Sequence, residues 1–485
     1  MDFFILVRDI LAIFNFICAI FIVFFEKKNP STIWAWLMIL ALIPYFGFII
    51  YFILGFEGRK HIIFAKKQQK DSATFIKFIK NNPHLINRQY NQLSLNNILP
   101  IPHTQHLNDV VTMNLVTGGS LYSTNNSIKI YHEGTQKFAD LLSDIKNAKS
   151  FIHMEYYLVH DDKLGKEIMY ALAEKAKQGL EVKLYYDGTG NITNSPSFSR
   201  ILTKAGGKVK LFLPPKGIRI NYRNHRKIAV IDGKIGYVGG LNIGDEYISD
   251  KKRFGYWRDS HIRIIGEAVS NLELRFIMDW NFSKGTPLSI TEKYFPKPEA
   301  QPEEIHMQIV SSGPDCKWDN IYYGYFKMIT EANKSIYIAT PYFVPDTALL
   351  EALKTAALAG VDVRIIIPAR PDHLFVYWSS LSYMGELLEA GVRCYQYEKG
   401  FIHSKVMTMD GIITSIGTAN MDIRSFKLNF EINAFIYNEK ITENFNTQFK
   451  IDFDDCKEIT QELYDRRGPI TKIKEAFARL ISPLL

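Results

Sequence analysis

Two short runs of the chain carry the same reactive side chains at the same spacing. Each run has a histidine, a lysine two residues later and an aspartate seven residues after the histidine. They are His225, Lys227 and Asp232 in the first run, and His403, Lys405 and Asp410 in the second. A Gly-x-x-Asn segment follows each run and places Asn242 and Asn420 17 residues after their histidines. One such run is a weak signal, whereas two copies at matched offsets are a specific one.

The spacing of these residues suits chemistry on an anion. On a β-strand, positions i and i+2 point to the same face, so an imidazole and an ammonium can face one phosphate. Asparagine can donate to a phosphoryl oxygen, and the glycines beside it allow a close approach of the backbone. Taken alone, each histidine fits a half-buried structural position and each lysine fits a solvated surface. The duplication favours a catalytic role for His225 and His403, with Lys227 and Lys405 as phosphate ligands.

The two aspartates allow a second interpretation. Asp232 and Asp410 are both followed by glycine, and Asp-Gly is a common turn between two strands. The motif therefore predicts either a catalytic role or a turn role for them.

The elements around the motifs repeat as well. Residues 144–187 and 330–368 both have the pattern of a helix end, a strand, a helix and a second strand. Alternating strands and helices indicate an α/β layered fold, and the repetition indicates two packed copies of it. We expect two transmembrane helices over residues 1–58, a mostly helical connector over 59–120, a first half over 121–285, a proline-rich linker over 286–304 and a second half over 305–485.

The N-terminal region has the composition of a membrane segment. Residues 3–25 and 32–56 are almost entirely apolar, and a helix of either length can cross a hydrocarbon core of about 30 Å. Pro44 should kink the second helix. A cleaved signal peptide is disfavoured because the charged Glu26, rather than a small-residue cleavage site, follows the first stretch. A buried hairpin in a soluble protein is disfavoured because no polar face marks the stretches.

Positive charge predicts the orientation of these helices. Arg8 lies near the start of the first stretch, and the loop between the stretches contains Lys27 and Lys28. A larger basic group follows the second stretch, namely Arg59, Lys60, Lys66, Lys67 and Lys70. By the positive-inside rule, both termini and the catalytic body lie on the cytoplasmic side of the cell membrane.

The overall composition disfavours several classes of protein. Among 485 residues, 58 are Lys or Arg and 50 are Asp or Glu, a net charge of +8. This excess permits an anionic partner but is small for a protein that binds nucleic acid, and we expect none. The four cysteines are scattered without a CxxC pair, so neither a disulfide framework nor a cysteine zinc site is expected. No ligand cluster suggests a metal, and we expect no metal or other cofactor.

Two further segments have two interpretations each. A basic run precedes the first motif, and it forms either a solvated face or a surface that receives an anionic headgroup. Its members are Lys208, Lys210, Lys216, Arg219, Arg223 and Arg226. Residues 468–485 have apolar side chains at helical spacing with basic ones alongside. This helix either lies on an anionic bilayer surface or packs on the core.

The paired motifs resemble those that define the phospholipase D superfamily. The apolar N-terminal stretches together with RNHRKIAVIDG, GGLNIGDEY, TPYFVPD, GFIHSKVMTMDG and GTANMDIRS are similar to bacterial cardiolipin synthases of the phospholipase D type, over essentially the whole chain. The resemblance implies two tandem phospholipase D-like α/β/α sandwich halves packed together behind the transmembrane helices. It also implies transfer of a phosphatidyl group between two phosphatidylglycerol molecules to give cardiolipin and glycerol.

Other functions remain as alternatives. A membrane-bound phospholipase D would hydrolyse the phosphodiester to phosphatidic acid, and the sequence does not show whether water is excluded. The membrane segments disfavour a nuclease. Intact histidines and lysines in both copies disfavour an inactive protein that only binds anionic membrane lipid.

The resemblance implies a role for each site residue. His225 is the nucleophile that forms a phosphohistidine, and His403 is the general acid and base. Four residues stabilise charge on the non-bridging oxygens, namely Lys227, Lys405, Asn242 and Asn420. A carboxylate beyond each Gly-x-x-Asn orients a histidine, and the matching positions are Asp259 and Glu431. The alternative interpretation is that Asp259 and Glu431 are charged residues on the surface.

Overall fold

The computed structural model describes residues 2–26, 30–56, 58–94, 99, 107–213, 221–249 and 255–482. The α-helices are α1 (Asp2–Phe24), α2 (Pro30–Leu42), α3 (Gly47–Ile50), α4 (Gly58–Asn81), α5 (Pro83–Ser94), α6 (Asn108–Gly118), α7 (Gly134–Asn147), α8 (Lys163–Lys177), α9 (Pro196–Lys204), α10 (Val269–Phe282), α11 (Asn320–Glu331), α12 (Thr347–Leu358), α13 (Leu374–Glu389), α14 (Ile423–Lys427), α15 (Glu439–Asp454), α16 (Gln461–Asp465) and α17 (Pro469–Ile481). The strands are β1 (Tyr122–Ser123), β2 (Asn126–Tyr131), β3 (Phe151–Tyr156), β4 (Glu181–Asp187), β5 (Lys208–Phe212), β6 (Arg223–Asn224), β7 (Lys227–Ile231), β8 (Ile235–Gly239), β9 (Tyr256–Arg258), β10 (His261–Gly266), β11 (His306–Ser312), β12 (Ser335–Ala339), β13 (Phe343–Val344), β14 (Asp362–Pro368), β15 (Arg393–Tyr397), β16 (Gly400–Ile402), β17 (Val406–Met409), β18 (Ile413–Gly417), β19 (Met421–Asp422), β20 (Asn429–Tyr437) and β21 (Cys456–Ile459).

Two mixed β-sheets contain the two copies of the repeat. The first sheet has the order β2-β10-β8-β7-β3-β4-β5, and the second has the order β1-β11-β20-β18-β17-β12-β14-β15-β21. In each sheet, the strand after the motif histidine pairs antiparallel with the first strand of the repeat, as β7 with β3 and β17 with β12. The next strand of the repeat then pairs in parallel. The predicted α/β halves are confirmed.

The two sheets pack against each other through one apolar core. Ile228 and Val238 from the first sheet lie in the same buried cluster as Ile416, Ile432 and Ala434 from the second. Helices α7 to α9 cover the outer face of the first sheet, and α11 to α13 cover that of the second. Because both faces of the motif strands are covered, β7 reads as the continuous apolar run IAVI rather than as an alternating pattern.

Short strands cross between the halves beside the motifs. Strand β6 of the first half pairs with the start of β20, and β16 of the second half pairs with β9. His225 directly follows β6, and its amide donates to the carbonyl of Phe430 at 2.9 Å. His403 directly follows β16, and its amide donates to the carbonyl of Arg258 at 2.7 Å. The backbone of each histidine is thus fixed by the opposite half.

The second apolar stretch reverses direction instead of forming one kinked helix. Helix α2 ends at Leu42, and after a turn that contains Pro44 the chain continues as α3 and a π-helix over Tyr51–Gly55. Proline has no amide hydrogen and its ring clashes with the preceding turn, which ends the helix. The ring of Trp36 packs edge-on against Tyr51 at 5.4 Å, so the two arms lie side by side. Helix α2 alone is about 20 Å long.

Helix α1 packs along this hairpin. The amide of Asn15 donates to the carbonyl of Leu40 at 2.7 Å, and the ring of Phe21 lies 5.9 Å from that of Phe56. In the described part of the chain, α1 is the one helix both long and apolar enough to cross a membrane, over Phe3–Phe24. The end of the hairpin at Phe56 therefore lies near the C-terminal end of α1.

Helix α4 connects the apolar region to the body of the protein. The ring of Phe64 packs against those of Tyr222 and Phe430 at 5.0 and 5.2 Å. The fully buried ammonium of Lys67 pairs with Asp315 at 2.6 Å. These contacts fix the membrane-proximal end of the connector beside the segment that contains His225.

The C-terminal helix α17 packs on the body through a narrow face. Ala478 is buried, and α17 contacts α13. Four large apolar side chains stay more than half exposed, namely Ile470, Ile473, Phe477 and Leu480. The helix therefore docks on the core and still presents an apolar face outward.

Candidate active site

Both motif histidines line one cavity of about 660 Å³. Asn242 and Asn420 line the same cavity, so each half contributes a histidine and an asparagine. The histidines lie in the short links between β6 and β7 and between β16 and β17. A site of this kind exists only when both halves are folded against each other.

Each histidine is hydrogen-bonded to a buried carboxylate from the opposite half. The Nδ1 of His225 lies 3.0 Å from both carboxylate oxygens of Glu431. The Nδ1 of His403 lies 2.7 Å from Oδ2 of Asp259. Since an ionised carboxylate only accepts, Nδ1 carries the hydrogen and Nε2 of the neutral ring holds the free lone pair.

The environment keeps both imidazoles neutral at neutral pH. Burial lowers the pKa of His225 to about 4, although Glu431 acts in the opposite direction. Burial and the Lys405 ammonium lower the pKa of His403, which Asp259 partly offsets. A neutral ring can act as a nucleophile or as a base.

The two motif lysines are buried beside the histidines. The Nζ of Lys227 donates to the carbonyl of His225 at 2.7 Å, and the Nζ of Lys405 donates to that of His403 at 2.6 Å. Burial lowers the pKa of Lys227 to about 7 and that of Lys405 to about 8, and Lys405 contributes to the reduction at Lys227. An anion bound near both groups would restore their charge.

The two asparagines have different partners. Asn242 donates from Nδ2 to the hydroxyl of Tyr247 at 3.0 Å and accepts from the amide of Leu158 at 3.3 Å. The buried Oδ1 of Asn420 has no hydrogen-bond partner in the described part of the structure. A Cβ atom at Gly240 would lie 2.0 Å from Oδ1 of Asp259, so this glycine of the Gly-x-x-Asn segment makes room for the carboxylate.

The motif aspartates lie at the far end of their strands and not in the cavity. The carboxylate of Asp232 accepts from the amides of Lys149, Ser150 and Phe151 at 2.7 to 2.9 Å. Asp410 accepts in the same way from the amides of residues 333–335. Both aspartates have positive φ angles, of 56° and 54°. This geometry supports the turn role, in which each carboxylate ties the end of β7 or β17 to the start of the first strand of the repeat.

The basic run before His225 does not form one face. Arg226 is fully buried and donates to Asp279, and Lys210 donates to the carbonyl of Trp280 at 3.2 Å. Arg223 lines the cavity. Lys216 and Arg219 lie outside the described residues.

Several cavity residues were not among the predicted site residues. Tyr157 and Tyr342 each follow the first strand of a repeat, and Arg424 follows the second Gly-x-x-Asn by four residues. Both tyrosines lie in the segments that revealed the repeat. Their matching position after the first strand of each copy could have indicated them as site residues. Arg424 has no counterpart in the first half, where Glu246 stands at that offset. Comparison of the two copies could therefore not reveal it.

Comparisons with known proteins agree with this geometry. A family model described as cardiolipin synthase, PLD-like domain, matches residues 141–280 and 325–453, and one described as phospholipase D-nuclease N-terminal matches residues 13–55. The chain is 45% identical to the cardiolipin synthase of Listeria monocytogenes serotype 4a (strain HCC23), over 98% of each chain. It is 44% identical to cardiolipin synthase 2 of Staphylococcus epidermidis (strain ATCC 12228), over 97% of this chain and 96% of that one.

The crystal structure of phosphatidylserine synthase from Haemophilus influenzae Rd KW20 has a similar fold. It superposes with a TM-score of 0.59 and 16% identity, over 78% of this chain and all of that one. The fold and the paired motifs are those of a phospholipase D-like protein. More narrowly, the chain belongs to the cardiolipin synthase family.

Proposed function

We propose that the protein is a membrane transferase that makes cardiolipin and glycerol from two molecules of phosphatidylglycerol. The observation that carries the proposal is one cavity with two histidines, each held by a buried carboxylate of the opposite half. Two such imidazoles can perform a double displacement at phosphorus. Membership of the cardiolipin synthase family supports the substrate class.

In the first step, Nε2 of His225 attacks the phosphorus of the donor lipid. The bond from phosphorus to the glycerol oxygen breaks as the phosphorus–nitrogen bond forms, and His403 gives a proton to the departing alkoxide. The free protein holds His403 neutral, but the bound phosphate anion adds to the effect of Asp259 and favours the protonated ring. Glu431 stabilises the positive charge that develops on His225.

In the second step, a hydroxyl of the second phosphatidylglycerol attacks the phosphohistidine. His403, now neutral, takes the hydroxyl proton, and the phosphorus–nitrogen bond breaks to return His225. Charge on the non-bridging oxygens is stabilised in both steps by Lys227, Lys405, Asn242 and Asn420. In hydrolysis, water would take the position of this hydroxyl. Transfer therefore requires that the acceptor lipid, rather than water, occupies the cavity.

The protein associates with the membrane through its N-terminal region. We propose that α1 crosses the bilayer and that the α2–α3 hairpin enters and leaves it on the side of the catalytic body. The antiparallel packing of Trp36 on Tyr51 and the position of Phe56 near the end of α1 support this arrangement. The lysines of α4 favour the cytoplasmic side for the body. The exposed apolar face of α17 supports a second contact with the bilayer surface.

Labelling of tags tests the membrane arrangement. A tag at the N-terminus should be accessible on the side opposite to a tag at the C-terminus if α1 alone crosses. Accessibility of both tags on the cytoplasmic side would instead support the two complete spans that the sequence predicts.

The activity is tested with the purified full-length protein in vesicles of phosphatidylglycerol labelled in its terminal glycerol. We expect cardiolipin and free glycerol in equal amounts. His225→Ala and His403→Ala should each lose at least about a thousandfold in rate, and His132→Gln, outside the cavity, should retain the wild-type rate. Phosphatidic acid without cardiolipin would show a hydrolase and overturn the proposal.

A further inference from the structure

The proposed reaction places two phosphate groups in one cavity. The acceptor phosphatidylglycerol carries its own phosphodiester, and a single glycerol joins the two phosphates of the product. The motif lysines and asparagines lie beside the histidines, where the phosphorus that reacts must lie. The acceptor phosphate is an anion that has to be held elsewhere in the same cavity, because burial of an uncompensated charge is costly.

Two arginines from opposite halves meet at one wall of this cavity. Arg223 lies on β6 and Arg424 on α14, and both line the cavity with His225. The guanidinium of Arg424 donates to the side-chain oxygen of Asn221 at 3.1 Å and to its carbonyl at 2.9 Å. Arg223 donates to the carbonyl of Tyr222 at 3.1 Å. These acceptors are neutral oxygens, and they fix the position of the guanidinium groups.

Two carboxylates near the arginines also accept hydrogen bonds from backbone amides. Asp187 accepts from the amides of Thr189, Gly190 and Asn224, each at 2.9 Å. Asp422 caps α14 and accepts from the amide of Ser425 at 2.6 Å. Asp187 and Asp422 still attract the guanidinium groups of Arg223 and Arg424, but their oxygens are bonded to backbone amides.

The surroundings of Arg424 disfavour its charged form. Burial and the neighbouring Arg223 lower the pKa of Arg424, although the carboxylates of Asp422 and Glu431 act in the opposite direction. An anion at this wall would relieve both the repulsion and the cost of burial. Arginine is also the side chain best suited to a phosphate, because its planar fork donates two parallel hydrogen bonds.

Tyr157 places the pair close to the nucleophile. Its ring contacts that of His225 with the centroids 5.0 Å apart. Its hydroxyl lies near the guanidinium groups of Arg223 and Arg424, which counteract the rise in its pKa that burial causes. One tyrosine ring therefore separates the arginines from the histidine that we assign as the nucleophile.

We propose that Arg223 and Arg424 form the acceptor site and bind the phosphodiester of the incoming lipid while its terminal hydroxyl reaches the phosphorus on His225. The inference rests on the proposed transferase activity. It assigns the preference for a phosphatidyl acceptor over an uncharged alcohol to these two side chains.

The test compares two acceptors for the same phosphohistidine. With phosphatidylglycerol as the donor, labelled glycerol reports exchange with an acceptor that lacks phosphate, and cardiolipin reports the phosphatidyl acceptor. Arg223→Gln and Arg424→Gln should each lower cardiolipin formation by about tenfold or more, while glycerol exchange stays within about twofold of the wild type. Arg223→Lys keeps the positive charge but loses the planar fork of donors. Its rate of cardiolipin formation should lie between those of the wild type and Arg223→Gln. Arg200→Gln removes an exposed arginine outside the cavity and should change neither rate.

Inorganic phosphate identifies the chemistry that the pair recognises. In the wild type, phosphate should inhibit cardiolipin formation in competition with the acceptor, and this inhibition should weaken in Arg223→Gln. Equal loss of exchange and cardiolipin formation in the Gln variants would show that the pair serves the donor or the fold, and it would overturn the proposal. Unchanged cardiolipin formation would overturn it as well. Failure of the wild type to make cardiolipin would refute the proposed function itself. That result is obtained before any variant is made, so it is distinguishable from failure of the acceptor-site proposal.

Discussion

Replacing Asp259 by asparagine should slow the reaction of natural lipids far more than that of an activated donor. The carboxylate lies 2.7 Å from Nδ1 of His403, and neither group is more than slightly exposed. Asparagine keeps the shape and can still accept from Nδ1, but it removes the negative charge that supports a protonated ring. The general acid of the first step is therefore weakened while the cavity stays intact.

The size of the effect follows from this one hydrogen bond. A charge-assisted hydrogen bond contributes about 1.5–3 kcal/mol, and a neutral one contributes about 0.5–1.5 kcal/mol. Loss of this difference, about 1–2 kcal/mol, lowers the pKa of His403 because the protonated ring loses more support than the neutral ring. At about 1.4 kcal/mol per factor of ten, the protonated fraction of His403 and the rate of the first step should fall by about five- to thirtyfold.

An activated phosphodiester separates this effect from damage to the nucleophile. A nitrophenyl ester of phosphatidic acid releases a phenolate that leaves without a proton, and its appearance can be followed by absorbance. Asp259→Asn should release nitrophenolate in the first turnover within about threefold of the wild-type rate. Glu351→Gln, an exposed carboxylate on α12, serves as the matched control and should affect neither donor.

Two results would refute this reasoning. If Asp259→Asn slows the nitrophenyl donor as much as phosphatidylglycerol, then His403 and not His225 is the nucleophile. If neither donor is slowed, the hydrogen bond between Asp259 and His403 does not support acid catalysis.

Three further predictions concern the lysines, the turn aspartates and the connector. The KM for phosphatidylglycerol should rise as the pH increases through about 7 to 8, because Lys227 and Lys405 lose their protons in that range and only their charged forms attract the phosphate. A KM that is constant up to pH 9 in initial-rate measurements would contradict this prediction. Asp232→Ala should destabilise the protein by about 2–4 kcal/mol, since three amides lose their acceptor and alanine disfavours a positive φ. Asp232→Asn should destabilise it less, and thermal unfolding in detergent compares the two variants. Equal stability of Asp232→Ala and the wild type would contradict the turn role. Lys67→Met should lower the stability by about 3–5 kcal/mol, because it leaves the buried Asp315 without its cation, and an unchanged unfolding temperature would argue against the ion pair.

The duplicated motif predicted the centre of the proposed site because repetition is visible in a single sequence. Two copies with matched offsets require two similar halves, and the structure places His225 and His403 in one cavity between them. The i and i+2 spacing also predicted that each lysine lies beside its histidine, as the short Nζ contacts show.

The cross-pairing of the carboxylates could not be predicted from spacing. Glu431 bonds to the histidine of the first half and Asp259 to that of the second, because β6 pairs with β20 and β16 pairs with β9. These exchanged strands have only two or three residues. Strands that short carry no pattern that distinguishes pairing within a half from pairing between halves.

The second apolar stretch shows a different limit of sequence analysis. Its length and composition fit one membrane-spanning helix, and Pro44 in the middle indicates only that a helix is disturbed. Whether the chain continues or turns back depends on contacts such as that of Trp36 with Tyr51. Trp36 and Tyr51 are 15 positions apart in the sequence, and a hydropathy pattern does not predict that they are in contact.

The most direct test of the account is to identify the residue that carries the phosphatidyl group during turnover. The His403→Ala variant, mixed with the nitrophenyl donor and rapidly denatured, should accumulate a covalent adduct because the base that activates the acceptor is missing. Peptide mapping by mass spectrometry should locate this adduct on His225 at one equivalent per chain, and His225→Ala should form none. An adduct on any other residue, or cardiolipin formation without a covalent intermediate, would contradict the proposal that the two histidines act in turn on one phosphorus.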